Sequence, residues 1–408
     1  MIIEVVSPKD VRADPVLVQS ETKLIPALTI AERYDSNVFF INGKGLEDYV
    51  TTIAPQLRMD HSGRLISGNL IGTLTGEAYV KNPGINYIAP SGAITMNLDK
   101  LIGQLDRRAR LTVSDSFMFT PKPLAFIGPT TGSEVPDTFV RGIQASRANS
   151  RTNVAAATGG YQLSPMVSLQ GNYVYSTMRF GTIFAQPNLG TPQPGAGSFF
   201  STTFQNYSIG PQFQVTPLDS FSVTFQGSRA DYSNAGTSRP SSSFITKGGS
   251  VGWIRLLTPT LTANGSGGFT EVGSGPSATL TYVANASLEW KHEHGGAALR
   301  YNRSVFPSFF VVPVPLVSEI ITVSGSYSLS ENISLMGSAN YAKNEAVGSA
   351  QLLNFESYSA SGSLNYTITR SVTAIASYIH SEFNQSSGAN SITFNRNVVS
   401  LSLRGEWN

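Results

Sequence analysis

The segment "LSENISLMGSANYAKNE", residues 329–345, alternates in character at every step. Ile333, Leu335, Gly337, Ala339 and Tyr341 fall on one parity, and Ser334, Met336, Ser338, Asn340 and Ala342 on the other. Successive side chains of a strand point to opposite faces, so the segment reads as a strand with one apolar face ending in tyrosine and one small, polar face. The pattern returns along the chain. Val167, Leu169, Gly171, Tyr173 and Tyr175 oppose Ser168, Gln170, Asn172 and Ser176; Leu280, Tyr282, Ala284, Ala286, Leu288 and Trp290 oppose Thr281, Asn285, Ser287 and Glu289. "FQNYSIGPQFQVT" and "FSVTFQGS" repeat it with Tyr207, Ile209, Phe213, Val215, Phe221, Val223 and Phe225.

Short turn signals punctuate these strands in pairs, near Pro165, Pro217, Pro259, Glu293, Glu331 and Arg370. Each interval holds two strands of about 10 to 14 residues, one tight turn and one longer loop. The longer loops are rich in Pro, Gly and Ser, as in "TPQPGAGS" and "SNAGTSRPSSS". Eighteen strands are predicted, from 24–40, 48–60, 64–80, 89–102 and 107–119 at the start to 371–383 and 394–407 at the end. An even number lets both termini lie on one side of a closed barrel. "MNLDKLIGQLDRRARL", residues 96–111, alternates poorly and has room for one helical turn, so sixteen strands is the alternative count.

Composition sharpens this picture. Only 13% of the 408 residues are Asp, Glu, Lys or Arg, while 40% are hydrophobic. Soluble domains carry roughly 25% charge. Ser, Thr, Asn, Gln and Gly have replaced it, which is not a surface built for water. No apolar run approaches the ~18 residues of a membrane helix; "PSFFVVPVPLVS" at 307–318 is short and broken by three prolines. The absence of Cys excludes disulfides, thiolate metal sites and covalent haem attachment through CxxCH, and a net charge of +2 points to no polyanionic partner. "MIIEVVSPKDVRADPVLVQS" lacks the cationic and apolar regions of a signal peptide, and Val11-Arg12-Ala13 is a candidate cleavage site. Residues 1–23 are expected to form an N-terminal periplasmic segment and 24–408 the barrel.

A soluble sandwich would place charge, particularly Lys, on the polar face of its strands. Here that face is Ser, Thr, Asn and Gln, while the apolar face is thinned at mid-strand by Gly171, Ala284, Ala286, Gly337, Ala339 and Gly362. Such residues pack poorly on a second sheet but lie well against lipid tails. Tyr161, Trp290, Tyr366 and Trp407 fall near short-turn ends, and Tyr173, Tyr175, Tyr341 and Tyr378 near long-loop ends, all on the apolar parity. Two aromatic girdles flanking a bilayer account for both sets. The fold expected is an all-β, transmembrane, up-and-down antiparallel β-barrel.

The last strand, "NVVSLSLRGEWN", ends Leu401, Leu403, Gly405, Trp407 on its apolar parity. It resembles the C-terminal signal that bacterial outer-membrane proteins present to the barrel-assembly machinery, with Leu401, Leu403 and Trp407 carrying the likeness; Asn408 departs from it, because the aromatic is usually last. The whole chain resembles the bacterial β-barrel porin families, through "YDSNVFF" (Tyr34 to Phe40) and "TTIAPQLRM" (Thr51 to Met59). The resemblance implies an outer-membrane barrel, in some members linked to exopolysaccharide export.

If the apolar parity faces lipid, Arg58, Glu289, Arg300, Arg396, Arg404 and Glu406 point into the lumen, where they either brace the wall or form a charged constriction. Arg at the lipid midplane would cost about 2–4 kcal/mol, which is why inward is the tolerated direction. Ser324, Ser326, Ser357, Ser359, Ser361 and Ser363 are expected to leave the lumen wide. The segment 120–148 is the candidate for an element folding into the mouth. His292 and His294 form an HxH pair of metal-ligand spacing but have no third ligand nearby and read, like His61, as solvated turn residues, and a Ser–His–Asn site around His380, Ser381 and Asn384 has no support in spacing. No cofactor, nucleotide loop or nucleic-acid patch is present, and no enzyme is expected.

The sequence therefore points to an outer-membrane channel for hydrophilic solutes, with polysaccharide export as the version the resemblance implies. Its partners would be outer-membrane lipid, the assembly machinery and the solute itself. Two alternatives stand beside it: a structural or adhesive barrel closed by its loops, and a sheath around a separate electron-transfer cytochrome. Unboiled protein in detergent is expected to migrate differently from boiled protein on a gel; identical mobility would exclude the closed barrel.

Overall fold

The computed structural model describes residues 20–39, 45–120, 148–183, 200–234, 242–273, 278–308, 314–347, 354–387 and 390–407. Eighteen strands run from β1 (Glu21–Asp35), β2 (Asp48–Ser62), β3 (Ser67–Tyr79), β4 (Tyr87–Asn97) and β5 (Ala109–Thr120) through β6 (Ala148–Ser164), β7 (Val167–Ile183), β8 (Phe200–Gln214) and β9 (Asp219–Asn234). They continue with β10 (Ser242–Thr258), β11 (Leu261–Val272), β12 (Thr279–His292), β13 (Gly295–Pro307) and β14 (Pro315–Ser328). The last four are β15 (Ile333–Ala346), β16 (Asn354–Thr369), β17 (Val372–Ser387) and β18 (Asn390–Glu406).

Every strand pairs antiparallel with its neighbours in sequence, and β18 pairs with β1 from Ala27↔Glu406 to Asp35↔Val398, so the sheet closes on itself. Helix α1 (Asp99–Ile102) lies in the connection between β4 and β5. The helical turn and the full strand count are thus compatible, because the poorly alternating segment is a connection rather than a strand. Pro55 and Pro211 fall where rungs are missing, between Ile53↔Gly76 and Gln56↔Thr73, and between Ile209↔Phe225 and Gln212↔Ser222. Proline has no N–H to give the ladder, and the gaps are its local cost.

Short turns follow the even-numbered strands, at 165–166, 259–260, 293–294 and 370–371 among others, on the same side as the start of β1 and the end of β18. In bacterial barrels the short turns are periplasmic, which places the long connections outside. At the periplasmic end the Asp106 carboxyl is held down to about 2, chiefly by hydrogen bonds from the Arg108 side chain, then by the Arg108 amide and the Tyr161 hydroxyl.

Exposure alternates along the wall. Tyr358, Leu364, Leu401 and Leu403 are exposed, while their neighbours on the other parity are buried or half-buried. Tyr173 pairs with Tyr207 and Tyr341 with Tyr358 at the outer end; Trp253, Trp290, Tyr327, Tyr366 and Trp407 ring the periplasmic end. From Trp290 to Tyr282 is eight residues, about 26 Å of strand or ~20 Å after a tilt of about 40°, close to the apolar height of an outer-membrane barrel. The exterior is that of a barrel spanning the bacterial outer membrane.

Most strands are longer than the ~9–11 residues a tilted spanning strand needs; β6, β7, β10 and β18 have 17. The surplus lies outside the outer tyrosines, and there the pattern inverts. On the outward parity appear Arg229, Asp231, Lys247, Glu271, Glu319, Lys343 and Glu356, whereas the inward parity carries Met178, Phe204, Tyr232, Phe244, Phe306, Phe355, Phe383 and Phe394, all buried. Phe204 and Phe306 reach each other from β8 and β13 with centroids 5.9 Å apart, and Phe383 packs at a tilt between Phe355 and Phe394. The outer third is built as a soluble barrel, apolar inside and charged outside, standing on a membrane barrel of the opposite sense.

Leu403 sits midway between the girdles on the outward parity, and Ser402 faces inward beside it. Leu403→Arg is expected to destabilise the folded barrel by about 2–4 kcal/mol in a lipid-vesicle unfolding titration. Ser402→Arg should cost clearly less; equal losses would contradict the assignment of faces.

Candidate functional site

The lumen divides at the level of the inversion. Below it lies a cavity of about 1020 Å³, bounded by Ser324, Ser326, Ser338, Ser361, Ser363 and Ser377 on β14 to β17, and reaching the periplasmic turn at Lys291–Gly296. Small side chains on consecutive inward positions leave this space, and they hydrogen-bond across strands, Ser338 with Ser361 and Ser377 with Ser400 at 2.8 and 2.7 Å. The expectation of a wide, serine-lined lumen holds here. It fails above, where Ser357 and Ser318 lie buried within the aromatic layer and the described inner side chains are packed.

The six charged residues singled out from the sequence all fall on the inward parity, and each meets an opposite charge. Arg300 Nη2 donates to Glu289 at 2.9 Å. Arg396 donates twice to Asp35, at 2.9 and 2.6 Å. Arg404 Nη2 donates to Glu406 and to Gln56, both at 3.0 Å, and Arg58 lies 3.1 Å from Asp60 and 3.7 Å from Glu406. Glu289 and Arg300 border the cavity with Arg396, whereas Arg58, Arg404 and Glu406 form an arch over β1 near the periplasmic rim, where Ile25 and Ala27 are 5% and 6% exposed. The structure brings these residues together in two groups rather than one ring.

Sequence reasoning missed the most buried cluster. Arg33 donates through both terminal nitrogens to the two Glu77 oxygens at 3.1 Å, and Glu77 also accepts from Tyr79 at 2.7 Å and from Thr52 at 3.4 Å. Glu77 is 4% exposed. Above it residues 34–39 turn inward: the Asn37 amide donates to Asp35, its side chain donates to the Asn395 carbonyl, and Val38 and Phe39 are buried against Val50, Tyr79 and Ile85. The signal for this was further charge on the inward parity, at Arg33, Asp35 and Glu77.

Other candidates do not assemble. His380 faces outward, hydrogen-bonded to Asn397 at 2.8 Å, while Ser381 next to it faces the cavity, so the two lie on opposite sides of the wall. His292 and His294 are neighbouring rings in a turn with Trp290 stacked on the first, and among the described residues no group of three candidate ligands for a metal occurs. His61 shares a hydrogen bond with Thr22. The mouth element expected at 120–148 lies, but for its end residues, outside the described residues.

Removing Glu77 would strand the buried Arg33 guanidinium without its fork partner. Breaking such a pair costs about 3–5 kcal/mol. Glu77→Ala is expected to lower barrel stability by that amount in a vesicle unfolding titration, while Glu289→Ala, whose partner is half exposed, should cost under about 1 kcal/mol.

No family profile and no curated protein matches the chain. Among solved structures, it is similar to Pseudomonas aeruginosa OccK3 (OpdO), at 12% identity and a TM-score of 0.44, over 94% of this chain and 96% of the other. P. aeruginosa OccK1 (OpdK) gives 9% and 0.46, over 94% and 99%. The FrpB iron transporter from Neisseria meningitidis gives 8% and 0.42, over 94% and 81%. These likenesses are low in sequence and in superposition, and what identifies the chain as an outer-membrane β-barrel is its own closed wall and its girdles.

Proposed function

We propose that the protein is an outer-membrane channel for small hydrophilic solutes with little preference of charge. The observation that carries this reading is the serine-walled cavity that reaches the periplasmic turn at Lys291–Gly296, in which arginine and carboxylate lie side by side. A ring of one sign would select ions, whereas paired charges cancel at a few ångströms and leave hydrogen-bonding groups for neutral polar solutes. Candidate lumen residues are Glu289, Arg300 and Arg396 at the cavity and Arg58, Arg404 and Glu406 at the periplasmic arch. Leu401, Leu403 and Trp407 on the outward face of β18 fit the proposed role of an assembly signal.

Polysaccharide export is the finer version of this reading. It needs a route along the axis, and the contact of Phe204 with Phe306 would have to part for a sugar chain to pass. The same packing favours a second reading, a barrel closed at its outer end with its role on the cell surface. A cytochrome sheath also requires a free axis and gains no support.

Planar-bilayer recording separates these. Steady openings with a reversal potential close to zero in a salt gradient are expected for the channel. Glu289→Gln should shift the reversal potential toward anion preference and Arg300→Gln toward cation preference. Folded protein that never opens would overturn the channel in favour of the closed surface barrel.

A further inference from the structure

Outward cations of the outer third stand beside carboxylates. Arg229 is paired with Asp231 at 3.0 Å, Lys343 faces Glu319 on one side and Glu356 on the other, and Lys247 faces Glu271 across a rung. Arg303 is ion-paired to Glu319, with its guanidinium 3.8 Å from the centre of the Tyr282 ring. One place breaks the rule. Arg151 of β6 and Arg179 of β7 are directly opposite each other across a rung, both exposed on the outward parity, and neither has a carboxylate partner among the described residues.

Like charges that face each other on one side of a sheet are destabilising. The two side chains lean apart. Arg151 lies against Phe119, its rung partner on β5, with its guanidinium 5.8 Å from the ring centre, and Arg179 donates to the Ser233 hydroxyl of β9 at 3.3 Å. Their strands bring no acid to neutralise them. Asp115 is the single carboxylate of β5, β6 and β7; it stands four positions nearer the tyrosine girdle, opposite Ala155, and accepts from Asn153 at 2.9 Å.

Height narrows what answers this charge. Arg179 lies four residues beyond Tyr175 on the same parity of β7, about 13 Å of strand or ~10 Å along the membrane normal at a tilt of about 40°. The headgroup zone of a simple bilayer is only about 5–7 Å deep on each side. A glycerophospholipid phosphate therefore lies below the pair, whereas a glycolipid with phosphates on its sugars carries them up to it. On the next outward rung below, the exposed Phe117 and the Thr177 hydroxyl flank Asn153 at the level the sugars would occupy.

We propose that Arg151 and Arg179 form a binding site for a phosphorylated glycolipid of the outer leaflet, one phosphate being held between the two guanidinium groups. Two cations that repel each other in the bare wall are neutralised by one anion, and the planar fork of arginine matches phosphate oxygens two at a time. The site is on the lipid side of the barrel and does not depend on whether the lumen conducts.

The full-length barrel, folded in a maltoside detergent, is titrated with bisphosphorylated lipid A, with its fully dephosphorylated form, with phosphatidylglycerol and with inorganic phosphate, and bound molecules are counted by native mass spectrometry. Saturable binding is expected for the bisphosphorylated glycolipid, weakened about tenfold by Arg151→Gln or Arg179→Gln. Arg229→Gln, whose parent charge already meets Asp231, should leave it unchanged. Without lipid, either of the first two substitutions should raise the temperature at which the heat-modifiable band converts, because it removes a repulsion. Binding that survives the double substitution, or equal binding of the dephosphorylated glycolipid, phosphatidylglycerol or inorganic phosphate, overturns the site. So does a fall in lipid-free stability, which would make the pair a brace of the wall. Should the glutamine variants not fold, Arg151→Lys/Arg179→Lys decides by the same titration: weaker binding is expected, and unaltered binding overturns the two forks.

Discussion

Everything in this molecule depends on one requirement, that no backbone N–H or C=O be left unpaired where it faces hydrocarbon. Closure of β18 on β1 meets it through rungs from Ala27↔Glu406 to Asp35↔Val398. This seam joins the first strand to the last. The inner face is accordingly reinforced there. Arg404 reaches over β1 to Gln56, Arg58 reaches back to Glu406, Arg396 clasps Asp35, and Arg33 spans β2 to Glu77. These links tie β18, β1, β2 and β3 to one another with side chains.

The same charges answer the dichotomy between bracing and selectivity. Near the periplasmic rim the arginines and carboxylates form an arch across the seam, while at the cavity Glu289 and Arg300 oppose each other on adjacent strands. Farther up, Arg33 and Asp35 also border the cavity, while Glu77, the partner of Arg33, is buried. Position along the axis, not residue type, decides which pairs hold the wall and which border the space.

Strand number and pairing were legible in the sequence because both faces have a steady chemistry: lipid demands one parity, water the other, and a period of two survives over many residues. Leu401, Leu403 and Trp407 declare their face unaided. What was not legible lay where that rule changes. Phe204, Phe355 and Phe383 sit on the polar parity, and read strand by strand they pass as noise; only the aligned register shows them at one height. Arg303 was hidden in the same way, because an arginine on the lipid parity is anomalous only until Tyr282 and Glu319 are found beside it. The meeting of Asp35 with Arg396 depends on closure, which joins residues far apart in sequence, and that of Arg33 with Glu77 depends on the register of three strands.

The inverted outer third makes the protein a composite of two solvents stacked along one set of strands. Lipid or detergent can grip only the zone between the aromatic girdles, so any belt that solubilises the barrel leaves the collar bare, and the collar must keep its shape by packing its own aromatic interior. Solubility and cohesion of that rim are then ordinary aqueous properties, set by Arg229, Lys247, Glu319, Lys343 and Glu356 outside and by phenylalanines within. Agents that perturb water-soluble proteins, such as salt or urea, would act on the rim first while the lipid-held part of the same strands stands unmoved, and the boundary between the two would run through the middle of single hydrogen-bonded ladders.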